Sequence, residues 1–458
     1  MGLSLFACGK NQKTEQKPAQ EKSTASENAA AKEEEPDEVI GTITVLTDRV
    51  DLVKTKLAEY KMAFEEKYPG TEVVFQQLGK YEASVSDKIK ENDYGDVLLI
   101  PQSISNGELE EYFEPLGTLE ELSGVYDEKY LQERQQDGVV YGLARYAAPQ
   151  GIVYNKKVFE KAGIYELPES PEAFLKALKA IRTTQPQVIP YCTNMKMNQG
   201  LAAWQQHVWG SVSGDPDYHY NGIVTDNSPF DGEKPDYIVH KLLYDIVKAG
   251  LCEEESDSIN WKKAKTMLNR GEIGCILADW TLLSEIQSAS TNPDDIGYMP
   301  FPYNIDGVQY ATTTIEYCYG INKNSENKAT ARAWIDYMLK DSGFAASEGA
   351  ISIKKKTELP KLLENFKDVE LIIDNPAVSG KEGEYDRINE LSGIYLDEDT
   401  EKKRIVEEAR KEGGESFEDI MKDWNDRWKS ALSGKSAEEE SISYTHLRAH
   451  EARRHLVC

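Results

Sequence analysis

The sequence predicts an α/β protein of two or more domains built on doubly wound, mostly parallel sheets. Three observations predict it. The first 60 residues of the core alternate strand, helix, strand, helix, strand (41–100), the order that builds a parallel sheet with crossover helices. The strand candidates, such as 96–100 (DVLLI), read as near-continuous apolar runs, as strands covered on both faces do. The 458 residues suffice for more than one core at about 100–200 residues each.

Taken in order, 41–46 (GTITVL) is the first strand. Val53, Leu57, Tyr60, Phe64 and Tyr68 then recur at helical steps until Pro69-Gly70 stops them. Residues 71–75 form a second strand and 81–91 a second helix before the third strand. Residues 141–146 and 151–155 read as strands and 156–162 as a short helix ending at Gly163. Ser170-Pro171-Glu172 supplies a cap and a first-turn proline for a helix whose apolar stripe is Phe174, Leu175, Leu178 and Ile181. Residues 201–272 read as mostly helical, broken by the turn-rich stretch 211–236. Trp334, Trp424 and Trp428 are expected in the core, the last two at i,i+4 on one helix face.

Charge and composition remove several functions. Lys and Arg number 53 against 80 Asp and Glu, a formal charge of −27, which argues against nucleic acid as a partner. No run approaches the 18 or so apolar residues of a membrane-spanning helix. Gly434-Lys435-Ser436 lacks the earlier glycine of a phosphate-binding loop, because position 429 is Lys. No G-x-S-x-G is present, no His/Cys cluster has metal spacing, and no cofactor is expected. A carboxylate pair for glycoside hydrolysis stays open among so many acids, since only spatial separation would reveal it. Cys192, Cys252, Cys275 and Cys318 are read as free and buried, with a disulfide left open.

The termini read differently. Cys8 after Leu5-Phe6-Ala7 resembles a bacterial lipobox, expected to carry a lipid, with residues 1–8 the remnant of a longer signal peptide. Residues 9–38 hold no aromatic and no Val, Ile or Leu, so they are expected to be a disordered tether. Residues 436–458 are read as a disordered tail. Its final part, 443–458 (SYTHLRAHEARRHLVC), resembles translated adapter DNA and is set apart as non-native. His450 and His455 there stand at i,i+5, which does not make the zinc-binding H-E-x-x-H.

Four ordered motifs carry a family resemblance: 137–143 with 153–163 (DGVVYGL … VYNKKVFEKAG), 268–280 (LNRGEIGCILADW), 296–302 (IGYMPFP), and 322–335 (NKNSENKATARAWI). Together they resemble the extracellular solute-binding proteins of carbohydrate ABC transporters, over about residues 41–430. The resemblance implies a two-lobe periplasmic-binding-protein-like fold of the class II type, with extra C-terminal helices. By analogy, lobe one takes 40–146 plus 295–345 and lobe two 147–294 plus 346–435. It implies a non-catalytic, lipid-anchored, monomeric receptor on the outer face of the membrane, passing a carbohydrate to an ABC permease. A polyamine, cation or peptide receptor on the same fold, or a surface glycoside hydrolase, remain the alternatives.

A sugar site needs flat aromatic platforms and planar hydrogen-bonding groups. Trp280 matches the family's platform tryptophan and is the leading candidate. Asp279 beside it reads equally as a hydroxyl acceptor or a helix cap. Asp48 lies at the carboxyl end of the first strand, where open α/β sheets place ligands, or caps the next helix. Arg145 and Tyr146 fall at the first crossing between lobes, and Glu316 and Tyr317 near the second. Trp204, Tyr81 and Asp96 complete the candidates, with core burial the rival reading for Trp204.

Overall fold

The computed structural model describes residues 38–197, 200–254 and 259–435, without the side chains of 280, 281, 284 and 288. Cys8, the tether to residue 37 and the tail from 436 therefore lie outside the described residues, as does the side chain of Trp280. In chain order the strands that build the lobes are β1 (Gly41–Thr47), β2 (Thr71–Gln77), β3 (Val97–Leu99), β4 (Leu143–Ala144), β5 (Ala148–Pro149), β6 (Gly151–Asn155), β7 (Ile189–Cys192), β8 (Ile273–Ala278), β9 (Ile296–Met299), β10 (Tyr310–Thr314), β11 (Cys318–Ile321) and β12 (Glu370–Ile372).

The first lobe holds a five-stranded sheet in the order β2-β1-β3-β11-β4. β1 runs parallel to β2 and β3, with Val45 opposite Phe75 on one side and Val97 on the other. β11 runs antiparallel to β3 and β4. The second lobe holds a four-stranded sheet, β7-β8-β6-β9, in which only β6 runs against its neighbours. Both sheets are thus mixed, with all strands but one pointing the same way, and every residue of β3, β6, β8 and β9 is buried, as the apolar strand runs predict.

A third sheet, β12-β10-β5, joins the lobes. β10 pairs antiparallel with β5 (Thr313 opposite Pro149) and parallel with β12 (Thr312 opposite Ile372). Gly210 lies against it, where an added Cβ would stand 2.8 Å from Ile372 Cβ and 3.0 Å from Thr312 Cα. This close approach lets the Gly210 and Ser211 N–H groups both donate to Thr312 Oγ1 at 2.9 Å, fastening the connecting strand to the second lobe.

Two segments sit differently from the expected division. β9, expected to open the return segment of lobe one, pairs with β6 in the second sheet, Gly297 opposite Tyr154. The chain also stays with the first lobe beyond residue 345: Asp127 N donates to Ile353 O and Lys355 N donates to Val125 O, both at 3.0 Å. Sequence periodicity marks strands and helices but not the sheet a strand joins.

The local expectations at caps and tryptophans are realised. Ser170 Oγ accepts from Ala173 N at 3.2 Å. Trp424 and Trp428 are fully buried edge-on to Phe230, and Trp334 packs edge-on against Phe64 at 5.2 Å. The four cysteines within the described residues are free and buried.

Candidate functional site

The carboxyl-end edge of the first sheet gathers most of the predicted residues into one cluster. Arg145 follows β4, Glu316 and Tyr317 precede the antiparallel β11, and Asp48 follows β1, so strand direction alone brings their side chains to one edge. The Arg145 guanidinium, 3% exposed, donates to Asp48 Oδ1 at 2.8 Å and Glu316 Oε2 at 2.9 Å. Tyr146 OH accepts from Arg145 at 3.1 Å and donates to Glu316 Oε2 at 3.1 Å. The guanidinium lies 4.9 Å from the Tyr146 ring and 5.5 Å from that of Tyr317. Burial opposes its charge, but Tyr146 and Asp48 more than offset this and hold its pKa above the ordinary arginine value. Glu316, with its side chain half exposed, is the member that faces outward.

Tyr81 joins this edge in a supporting role. Its ring packs edge-on to Tyr317 at 5.5 Å, and its buried hydroxyl is taken up by Leu99, accepting from N at 2.8 Å and donating to O at 3.2 Å. Burial pushes the Tyr81 phenol well above its ordinary pKa.

Between the lobes lies an open cleft of about 1070 Å³. The first lobe contributes 102–107 and 132–137, the floor is the 312–315 end of the connecting strand, and the second lobe contributes Gln206, Tyr220 and 371–377. Tyr220 on its second-lobe wall is backed by an aromatic stack: His219 lies between Trp209 and Tyr220, each 3.9 Å away and nearly parallel. Asp374 Oδ2 holds His219 Nδ1 at 2.6 Å. Behind the wall the buried Asp236 accepts from Tyr218 OH at 3.0 Å and Gln205 Nε2 at 2.9 Å, fixing the turn that presents Tyr220. Burial, then Asp374 and Glu133, push the Tyr220 phenol up to about 12. Two buried atoms of the cleft lining, Gln136 Oε1 and Asp374 Oδ1, lack a hydrogen-bond partner among the described residues. Both are acceptors, and buried acceptors left unpaired are costly unless a donor arrives.

Such a cleft between two lobes, rimmed by acceptors and floored by connecting strands, is the geometry of a closing binding site. The profile of the bacterial extracellular solute-binding protein family matches residues 49–343. The chain belongs to that family. Among solved structures this solute-binding protein is similar to the ABC-transporter binding protein BlMnBP1 of Bifidobacterium animalis subsp. lactis, in complex with mannotriose. They are 35% identical over 87% of this chain and 96% of that one, with a TM-score of 0.67. BlMnBP2 of the same organism, described as manno-oligosaccharide specific, is 34% identical over the same shares, with a TM-score of 0.69. A binding protein of Brucella abortus is 22% identical over 52% of this chain. The chain spans 56% of the length of that curated relative.

Not every predicted contact reaches a ligand surface. Asp96 stands at the amino end of β3, away from the cleft edge, where its carboxylate accepts from Thr44 N at 2.7 Å and from Ser325 Oγ. There it clamps β1. Trp204 is 1% exposed, edge-on to Tyr191 and Phe301; it is core of the second lobe, the rival reading. Asp279 caps the helix Trp280–Ser288, accepting from Leu282 N at 2.9 Å, and that helix starts Trp280 at the carboxyl end of β8.

Sequence reasoning missed Glu133, Gln136, Gln206, Tyr220 and Asp374. They lie in polar or turn-rich stretches, 132–137, 211–236 and 373–376, and in a short helix, Ala203–His207. Loop positions of this kind carry no periodicity, although binding residues concentrate there. The run Tyr218-His219-Tyr220 in a turn was the usable signal.

Proposed function

We propose that this solute-binding protein captures an oligosaccharide of the manno-oligosaccharide class outside the cytoplasm and hands it intact to an ABC import permease. The observation that carries the reading is the cleft: its volume of about 1070 Å³ lies at the upper end of small-molecule sites, and Tyr220 gives it a flat face beside unpaired acceptors. Pyranose rings present C–H faces to such a ring and hydroxyl donors to such acceptors. The likeness to two manno-oligosaccharide-binding proteins near 35% identity supports the ligand class.

In this reading the protein acts as a monomer, does no chemistry on the sugar, and is tethered to the membrane through a lipid on Cys8. The lobes divide where the chain passes along β5, β10 and the segment before β12. Ligand favours the closed arrangement by the difference in its affinity for the two forms.

Calorimetry of the full chain with mannobiose, mannotriose and spermidine tests this, with the recovered sugar checked for cleavage. Sugar bound and returned intact supports the receptor. Heat with spermidine alone transfers the reading to a polyamine receptor, and released monosaccharide makes the protein a hydrolase. Tyr220→Ala and Trp280→Ala are each expected to weaken mannotriose binding at least tenfold while the melting transition persists. Unchanged affinity removes that residue from the site.

A further inference from the structure

The walls of the cleft carry an uneven distribution of charge. Glu133, Asp137, Asp374 and Glu382 line it against Lys129 and Arg134. The Arg134 guanidinium is turned into its own wall, donating to Ile104 O at 3.1 Å and Asn106 Oδ1 at 3.4 Å. Lys129 is drawn over the Tyr130 ring, 5.4 Å from its centre. Glu382 accepts from Gly380 N at 2.8 Å. Glu133, in contrast, makes no hydrogen bond or ion pair among the described residues. Asp374 spends one oxygen on His219 and leaves the other buried and unpaired.

We propose that Glu133 and Asp374, set on opposite walls of the cleft, form a charge filter that admits neutral and amino sugars and turns away sugars bearing a carboxylate. The filter rests on the carbohydrate-receptor reading above and names which carbohydrates it takes. Two carboxylates approaching from opposite walls need hydrogen donors between them, which hydroxyl or ammonium groups provide. A uronate replaces a donor with a third negative charge, beside a guanidinium whose Nη1 already serves its own wall. Burial raises the Glu133 pKa, opposed by the Arg134 charge and reinforced more weakly by Asp374. Rejection through an unpaired like charge is how binding sites gain selectivity beyond their attractive contacts.

The test is calorimetry of the full-length protein with mannotriose, a glucosamine disaccharide and a mannuronate trisaccharide, which differs from mannotriose only at C6. The wild type is expected to bind the first two and to bind the uronate at least 100-fold more weakly than mannotriose. Glu133→Gln and Asp374→Asn keep the shape and an acceptor oxygen. Each is expected to narrow that gap at least tenfold, chiefly by admitting the uronate, with melting checked for both. Uronate bound within threefold of mannotriose by the wild type overturns the filter and leaves the receptor standing. So does a gap that neither variant changes. No heat with mannotriose overturns the receptor reading itself, and the filter with it.

Discussion

Arg145 is the residue on which the carboxyl-end edge of the first sheet depends. It is buried, it joins Asp48 and Glu316, and it underlies Tyr146 and Tyr317. Removing one partner of a buried ion pair costs about 3–5 kcal/mol, because the remaining charge is left uncompensated. Glu316 is half exposed and water relieves its share, so Arg145→Ala is expected to cost about 3 kcal/mol. Chemical denaturation measures this; a loss below about 1 kcal/mol would show the cluster to be a surface pair in effect. At this scale the sequence was half legible. Strand direction is written in the chain, so residues at strand ends could be placed on the same edge. What each acid does there was not: Asp48 and Asp96 flank strands alike, yet one meets Arg145 and the other clamps β1 through Thr44.

Among the elements, the turn Tyr218–Gly222 that presents Tyr220 is held from behind by Asp236. Burial raises the pKa of Asp236 to about 6, against hydrogen bonds from Gln205 and Tyr218 that pull it down. The folded chain therefore holds this proton more tightly than the unfolded chain, whose aspartate titrates near 3.9. Stability from this group is present below about pH 4 and is lost as pH rises to about 6, by up to about 3 kcal/mol. Asp236→Asn should remove that loss, so melting temperatures of variant and wild type should diverge between pH 4 and 6 in favour of the variant. Parallel curves across that interval would mean the carboxylate is compensated in the folded state. Helices with a strong apolar stripe, such as Pro171–Thr184, were readable because 3.6-residue periodicity survives in any context. The wide helical turns at Val208–Val212 and Tyr218–Gly222 have no such signature, and they position the wall.

For the whole molecule, the α/β class followed from alternating strands and helices, and the two-lobe arrangement from the motifs. The path of the chain between sheets was less legible, because β9 and the segment 346–355 take their places through long-range pairing. If ligand closes the cleft, small-angle scattering should record a smaller radius of gyration at saturating mannotriose than without it. An unchanged radius with tight binding would mean the cleft accepts ligand without moving. The connecting sheet also decides what kind of motion is available. One strand between two bodies permits swivel and twist alike, but β5, β10 and β12 are laced side by side by hydrogen bonds, and such a strap bends far more readily than it turns. Bending is thus the motion this sheet resists least. Sugars of different length would all drive the protein along the same path, and a permease need recognise only a shape, whatever cargo lies inside.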